Sequence, residues 1–218
     1  MQLPEDDEVA PVKIAGFAHS MAPVMSYSES PPPPLSRASL VIGLYGAMGI
    51  VAFVVAAGRG DPDLYRLGGS PETWQLGAGP LLGLALGLGV VGLTRLATKH
   101  FQWARELHAS FRDLLGPLSS REMVILALAS SVGEELLFRG ALMPWFGVWF
   151  QALVFALLHV GPGRRFLVWT ASAFVLGLAF GALAKWTGNL GGPIAAHFVI
   201  NFLNLRYIVG VPMRAAAA

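Results

Sequence analysis

Residues 38–57 read ASLVIGLYGAMGIVAFVVAA, a run of 20 residues without a charged side chain. A helix of this length rises about 30 Å, which matches the hydrocarbon thickness of a membrane. A second uncharged run spans residues 76–94 and carries Gly79, Gly83 and Gly87 at four-residue spacing. Small residues at that spacing let a neighbouring helix approach closely. The two runs therefore predict two membrane helices, the second of which packs closely against a neighbouring helix.

The composition of the whole chain also indicates a membrane protein. Of its 218 residues, 55% are apolar and 13% are charged, whereas a soluble domain carries roughly 25% charged residues. The absence of cysteine excludes disulfides, thiolate metal sites and a cysteine nucleophile. A net charge of +2 without a basic cluster gives no reason to expect a nucleic-acid partner. We predict an all-α, polytopic transmembrane helical bundle in a lipid bilayer.

The chain divides into four regions. The predicted regions are a disordered cytoplasmic tail over 1–37, two transmembrane helices over 38–94, an amphipathic interfacial segment over 95–122, and a four-helix core over 123–212. Four consecutive prolines end the tail and favour an extended conformation. The core helices are expected from Met123 to a turn near Pro144 and Gly147, and then over 148–159, 166–184 and 190–209. This division gives six spans.

The distribution of basic residues predicts the orientation of these spans. If the N-terminus is cytoplasmic, the inner side carries Lys13, Arg37, Arg95, Lys99, Arg105, Arg112, Arg121, Arg164, Arg165, Arg206 and Arg214. The outer side carries Arg59, Arg66, Arg139 and Lys185. This excess agrees with the positive-inside rule. We expect both termini in the cytoplasm and, from the richness in Ala, Gly and Pro, a bacterial inner membrane.

Glu134 and Glu135 are the two acidic residues that follow Glu122, and both fall inside an apolar helix. A charged group at that depth costs at least ~2.5–3.5 kcal/mol and therefore indicates a function or a partner. Arg139 lies four residues after Glu135, on the same helix face, so these two side chains can form an ion pair. Adjacent residues point about 100° apart, which leaves Glu134 free to face a cavity. A buried network that only fixes helix packing is the alternative.

Two further helices bring polar groups into the apolar core. His159 ends one of them, with Phe155 one turn earlier. His197, Asn201 and Asn204 are spaced four and three residues apart on the last helix, so they share one face. A polar stripe on an apolar helix faces protein or trapped water rather than lipid. Interhelical hydrogen bonding could account for each helix alone, but three such helices together indicate a chemical site.

The three patterns resemble a known family, the CPBP (ABI) intramembrane proteases, which include the Rce1-like CAAX prenyl proteases. Glu134 to Arg139 is similar to that family's Glu-Glu-x-x-x-Arg motif. Phe155 to His159 is similar to its Phe-x-x-x-His motif, and His197 to Asn201 to its His-x-x-x-Asn motif. The resemblance covers residues 120–212. It implies a helical bundle with an intramembrane active site and a membrane-anchored protein or peptide as the substrate.

The resemblance also suggests roles for the site residues. We expect an endopeptidase that cleaves near the membrane-anchored, C-terminal end of its substrate. Glu134 would activate a water molecule that His159 also orients, and His197 and Asn201 would stabilise the oxyanion. The supporting residues would be Glu135, Arg139, Phe155 and Asn204.

The site residues are compatible with a mechanism with or without a metal, and with more than one class of function. Glu134, His159 and His197 are a ligand set that could bind a divalent metal such as zinc, although they come from three helices and lack a His-Glu-x-x-His pattern. A metal-free glutamate mechanism is the preferred hypothesis. The alternatives to a protease are a non-catalytic peptide-binding or immunity-type protein and a small proton-coupled transporter, for which the sequence shows no internal repeat.

Overall fold

Seven α-helices form the structure, a computed structural model that describes residues 36–61, 63–68 and 72–211. They are α1 (Arg37–Gly58), α2 (Thr73–His100), α3 (Gln102–Leu115), α4 (Ser120–Glu135), α5 (Met143–Leu158), α6 (Leu167–Thr187) and α7 (Gly191–Gly210). A π-helical segment, Leu136–Leu142, joins α4 to α5, and a 3₁₀ turn, Arg164–Phe166, precedes α6. The predicted tail lies outside the described residues except for Ser36 and Arg37.

The all-α membrane bundle predicted from the sequence is confirmed. The helical segments that are long and apolar enough to cross a membrane are Arg37–Gly58, Thr73–His100, Ser120–Leu158 and Arg164–Thr187. Large apolar side chains cover their outer faces; Ile50, Leu81 and Val175 are examples, each more than 60% exposed. Such a surface is stable in lipid rather than in water.

The four membrane-spanning segments do not correspond one to one with the six predicted spans. α7 is absent from these four segments because His197, Asn201, Asn204 and Arg206 interrupt its apolar sequence. Ser120–Leu158 contains two of the predicted spans in one helical segment. The total of six spans therefore stays a prediction.

The segment from α4 to α5 changes its geometry twice. The π-helical turn begins directly after Glu135 and contains Arg139; π-turns inside α-helices occur frequently at functional sites. Within α5, Gly147 has φ 78° and ψ 173°, which breaks the helix and favours glycine. This break lies where the sequence predicted a turn, and residues 148–158 then lead to His159.

Close contact between α2 and α7 fixes the position of the polar stripe on α7. A Cβ atom on Gly83 would lie 2.0 Å from the Gly192 carbonyl oxygen, and one on Gly87 would lie 2.9 Å from the Ala196 carbonyl oxygen. The three glycines predicted to pack a neighbouring helix are all buried. α2 therefore contacts the backbone of α7 just before His197.

The amphipathic helix is shorter than the predicted interfacial segment, because α2 continues to His100 and α3 covers Gln102–Leu115. Arg112 of α3 donates to the carbonyl oxygens of Ile208 and Val209 at the end of α7. Such a contact satisfies carbonyls that a helix terminus leaves unpaired, and it favours a cation at the negative end of the helix dipole. α3 is thereby fixed across the end of α7.

Candidate active site

A buried ion pair lies at the centre of the bundle. Arg139 Nη1 donates to Glu135 Oε1 at 2.9 Å, and both side chains are 0% exposed. The rest of the guanidinium is enclosed, since Nη2 lies 3.5 Å from the Gly177 carbonyl oxygen and Cζ lies 4.4 Å from the centre of the Phe155 ring. The orientation prediction counted Arg139 with the outer loops; this count is corrected, because the residue is fully buried between helices.

Glu135 contacts a second helix as well as Arg139. Its Oε1 lies 2.8 Å from His197 Nδ1. Since a carboxylate that pairs with arginine can only accept, the histidine donates through Nδ1–H. This leaves His197 Nε2 directed at the neighbouring carboxylate, Glu134 Oε2, at 3.8 Å. Glu135 therefore links α4 to α7 and sets the orientation of the imidazole ring.

Glu134 has a different environment from Glu135. Its side chain is 8% exposed, and Oε2 is buried without a hydrogen-bond partner among the described residues. Two imidazole nitrogens face this oxygen, His159 Nε2 at 3.6 Å and His197 Nε2 at 3.8 Å. These distances are too long for direct hydrogen bonds. A buried carboxylate oxygen without a partner is costly, so a further group is needed to bridge it to the histidines.

His159 is held by backbone contacts at the end of α5. Its Nδ1 lies 2.7 Å from the Phe155 carbonyl oxygen, which can only accept, so Nδ1 carries the proton. Thr170 of α6 donates to the His159 carbonyl oxygen at 2.6 Å. The neutral ring then presents the lone pair of Nε2 toward Glu134. Both histidines therefore direct Nε2 to the same place.

Asn201 and Asn204 lie on the same helix but in different surroundings. Asn201 Nδ2 donates to Ser130 Oγ at 3.0 Å, which ties α7 to α4 one turn before Glu134. Asn204 Oδ1 accepts from Thr94 Oγ1 at 3.1 Å and from Arg95 Nη1 at 2.8 Å. Asn204 was predicted to support the cluster; its hydrogen bonds instead connect α7 to α2.

A cavity of about 750 Å³ connects these groups. One end is lined by Tyr45, Ser130, Glu134, His159, His197 and Asn201. The other end is lined by Thr94, Arg95, Thr98, His108 and Asn204, and the walls between are mostly apolar. A space of this size, apolar with a few convergent polar groups, is typical of a ligand site.

The predicted metal ligands do not form a metal site in this arrangement. Among the described residues, no three His, Asp or Glu side chains are placed to hold a metal ion.

Sequence reasoning missed several residues of the site. Ser130 could have been predicted from the sequence, because it precedes Glu134 by four residues on the same helix face. Tyr45 of α1 faces Glu134 but carries no pattern that distinguishes it from other aromatic residues of the spans. Gln151 is fully buried and donates to the Gly177 carbonyl oxygen at 2.9 Å, the same oxygen that Arg139 approaches. Gln151 could have been found from the sequence, because it is a polar residue one turn before Phe155.

The comparison with known families agrees with this geometry. Residues 117–203 match the family model described as "Type II CAAX prenyl endopeptidase Rce1-like". This segment is similar to the Rce1-like family. It contains the glutamate pair and both histidines, whereas α1, α2 and α3 lie before it. The resemblance inferred from the three motifs is confirmed at the level of the family.

A curated relative of the chain is the "Uncharacterized protein YpbD" of Bacillus subtilis (strain 168). The two are 40% identical over 93 residues, which are 41% of this chain and 47% of the relative. The chain thus matches about half the length of that protein. No solved structure matches the chain significantly. The similarity to the Rce1-like family is therefore confined to residues 117–203, and α2 and α3 supply much of the cavity from outside this segment.

Proposed function

We propose that the protein is an intramembrane endopeptidase that hydrolyses a peptide bond near the membrane-anchored, C-terminal end of a protein substrate. The observation that carries this proposal is the unpartnered Oε2 of Glu134, which faces the Nε2 atoms of two histidines inside a cavity. The family to which the segment is similar is a protease family. A general base, a place for water and hydrogen-bond donors are the groups that peptide hydrolysis requires.

The nucleophile is a water molecule between Glu134 and His159. Both groups accept hydrogen bonds, and a water molecule has two protons to donate. A gap of 3.6 Å between Glu134 Oε2 and His159 Nε2 leaves this oxygen without a direct partner, and a bridging water to one side would satisfy both groups. As the water oxygen attacks the scissile carbonyl carbon, one water proton passes to Glu134. The same proton then passes to the leaving amine, and the products are a carboxylic acid and an amine.

The oxyanion is stabilised from α7. Asn201 uses one Nδ2 proton to bond Ser130, and the second is free to donate to the oxyanion. His197 donates through Nε2 when its ring is protonated, and the carboxylate of Glu135 at 2.8 Å stabilises the resulting imidazolium. Loss of one such donor typically costs about 2.7–4 kcal/mol of transition-state stabilisation.

Glu135 and Arg139 act as positioning residues. They are 0% exposed and do not line the cavity. Their ion pair fixes Glu135 Oε1, which fixes the ring of His197. The motif Glu-Glu-x-x-x-Arg thereby supplies one catalytic carboxylate and one structural carboxylate from adjacent positions.

Replacement of Glu134 by glutamine tests the proposal. The side chain keeps its size but loses its basicity, so cleavage should fall about 10²–10⁴-fold, the usual contribution of a general base. Wild type and Glu134→Gln would be expressed at equal abundance in native membranes, and the masses of membrane-anchored proteins would be compared. Glu106→Gln on α3, which does not line the cavity, is the matched control.

The result separates the competing functions. Proteins that stay longer by a terminal segment only in Glu134→Gln membranes are substrates of a protease. Identical masses in all three samples would contradict the proposal, and a peptide-binding protein would then be the better hypothesis.

A further inference from the structure

Tyr45 is a polar residue of α1 in an otherwise apolar span. Within residues 40–57 it is the one side chain that carries a hydroxyl, amide or charged group. It shares a helix face with Ala52 and Ala56, which are fully buried. A polar side chain on the inward face of a membrane helix is expected to find a hydrogen-bond partner on another helix.

α1 approaches the backbone of α4 at the residue before Glu134. A Cβ atom on Gly133 would lie 2.9 Å from the carbonyl oxygen of Tyr45 and 2.9 Å from its Cβ atom. The lack of a side chain at Gly133 therefore lets Tyr45 lie against α4, where it lines the cavity together with Glu134. The Tyr45 hydroxyl lies beside the Glu134 carboxylate, within reach of a hydrogen bond.

This hydroxyl is a donor that does not depend on the protonation of the histidines. A carboxylate only accepts hydrogen bonds, so the phenol is the donor of the pair. When neutral, His159 and His197 carry their protons on Nδ1 and turn the lone pairs of Nε2 toward Glu134. Oε2 of Glu134 is buried without a partner among the described residues, and Oε1 is not one of these atoms. The hydroxyl can therefore bond Oε1 while Oε2 stays available to water.

We propose that the Tyr45 hydroxyl donates to Oε1 of Glu134 and so holds Oε2 toward the two histidines. This inference rests on the proposed protease function and deepens it, because it names the group that orients the general base. A base must be held within hydrogen-bond reach of the proton that it takes. Tyr45 is then a positioning residue, and α1 contributes to the site although it lies outside residues 117–203, which match the family model.

The hydrogen bond is tested without a substrate. Dicyclohexylcarbodiimide is an apolar reagent that reacts with carboxyl groups in their protonated form, and Glu134 lines a mostly apolar cavity. Wild type and Tyr45→Phe are labelled for increasing times in phosphatidylcholine nanodiscs at the same neutral pH. Tandem mass spectrometry quantifies the adduct on Glu134 and distinguishes it from an adduct on Glu135.

Tyr45→Phe keeps the ring and removes only the hydroxyl. The Glu134 carboxylate then loses a charge-assisted hydrogen bond that stabilises its charged form, so we expect labelling to be about tenfold faster than in wild type. Glu134→Gln cannot form the adduct and gives the background. An unchanged labelling rate in Tyr45→Phe would overturn the proposal.

A matched control and a second variant assign the effect to this contact. Tyr207→Phe removes the hydroxyl of a half-buried tyrosine that bonds Thr98 and does not line the cavity, so its labelling rate should equal that of wild type. Gly133→Ala displaces the Tyr45 side chain without removing the hydroxyl, and should speed labelling even if Tyr45→Phe folds poorly. Gly46→Ala on α1 should not, since nothing lies within 4 Å of its Cβ position. Equal acceleration in the two controls would contradict the proposal.

Cleavage separates the role of Tyr45 from the protease function. With substrates from the mass comparison of wild type and Glu134→Gln, Tyr45→Phe should lower kcat about tenfold and leave KM unchanged, because the hydroxyl acts on the base and not on the bound peptide. An unchanged kcat would contradict the positioning role alone. Absence of cleavage by wild type would contradict the protease function alone, and the labelling rates would still decide whether Tyr45 donates to Glu134.

Discussion

Glu134 and Glu135 are adjacent and chemically identical, but the structure gives them different tasks. Glu135 has two donors on one oxygen, Arg139 and His197, and is fully buried. Glu134 lines the cavity, whereas Glu135 does not, although the Oε2 atom of each has no partner among the described residues. The i to i+4 spacing of Glu135 and Arg139 was sufficient to predict their ion pair. The contact between Glu135 and His197 was not predictable, because it depends on how α7 packs against α4.

Because the two glutamates have different partners, the same substitution should mainly lower stability at Glu135 and mainly lower cleavage at Glu134. Glu135→Gln leaves Arg139 buried without a counter-charge, which should lower the free energy of unfolding by on the order of 3 kcal/mol. Glu134→Gln removes no ion pair with arginine, so the stability should change by less than about 1 kcal/mol while cleavage is lost. The free energy of unfolding of both variants and of the wild type is measured by titration in mixed detergents. Equal stability of the two variants would contradict this division of roles.

At the scale of helices, glycine decides where the site residues meet. The four-residue spacing of Gly79, Gly83 and Gly87 predicted a close helix contact, and α7 is the helix that occupies it. Its identity could not be predicted, since a small-residue face accepts any partner. The face of α7 on which Asn204 lies was predictable from the sequence. Its hydrogen bonds to Thr94 and Arg95 were not, because they depend on where α2 packs.

The contact between α2 and α7 predicts the effect of adding one methyl group. Gly83→Ala places Cβ about 2 Å from the Gly192 carbonyl oxygen, and a backbone atom cannot rotate away. The helices must separate, which should cost at least about 2 kcal/mol and reduce cleavage because α7 carries His197 and Asn201. Gly89→Ala on the same helix is the control, since nothing lies within 4 Å of its Cβ position. Thermal unfolding and cleavage should both be near wild type for Gly89→Ala, and similar losses in the two variants would show that the contact is not the cause.

At the scale of the whole molecule, the two ends of the bundle are distinguishable by their contacts. At one end, Arg37 donates to the Leu115 carbonyl oxygen and Arg112 reaches the end of α7, which places the start of α1 beside α3. At the other end, Leu190 N–H donates to the Tyr65 carbonyl oxygen, which joins the α1–α2 loop to the α6–α7 turn. Of the described Lys and Arg residues, most lie at the α3 end. The cavity also reaches the α3 end, where it is lined by Trp103, Leu107 and Phe111.

The positive-inside rule then predicts that the cavity opens to the cytoplasm. The chain has no cysteine, so one introduced cysteine gives an unambiguous label. Arg66→Cys in the α1–α2 loop should react with a membrane-impermeant maleimide in intact cells, whereas Asp113→Cys on α3 should react only in inside-out vesicles. Val175→Cys, which is 63% exposed on the apolar face of α6, should react in neither because lipid covers it. Labelling of Asp113→Cys in intact cells would reverse the orientation and place the cavity mouth, with Arg95 beside it, on the outer face of the membrane.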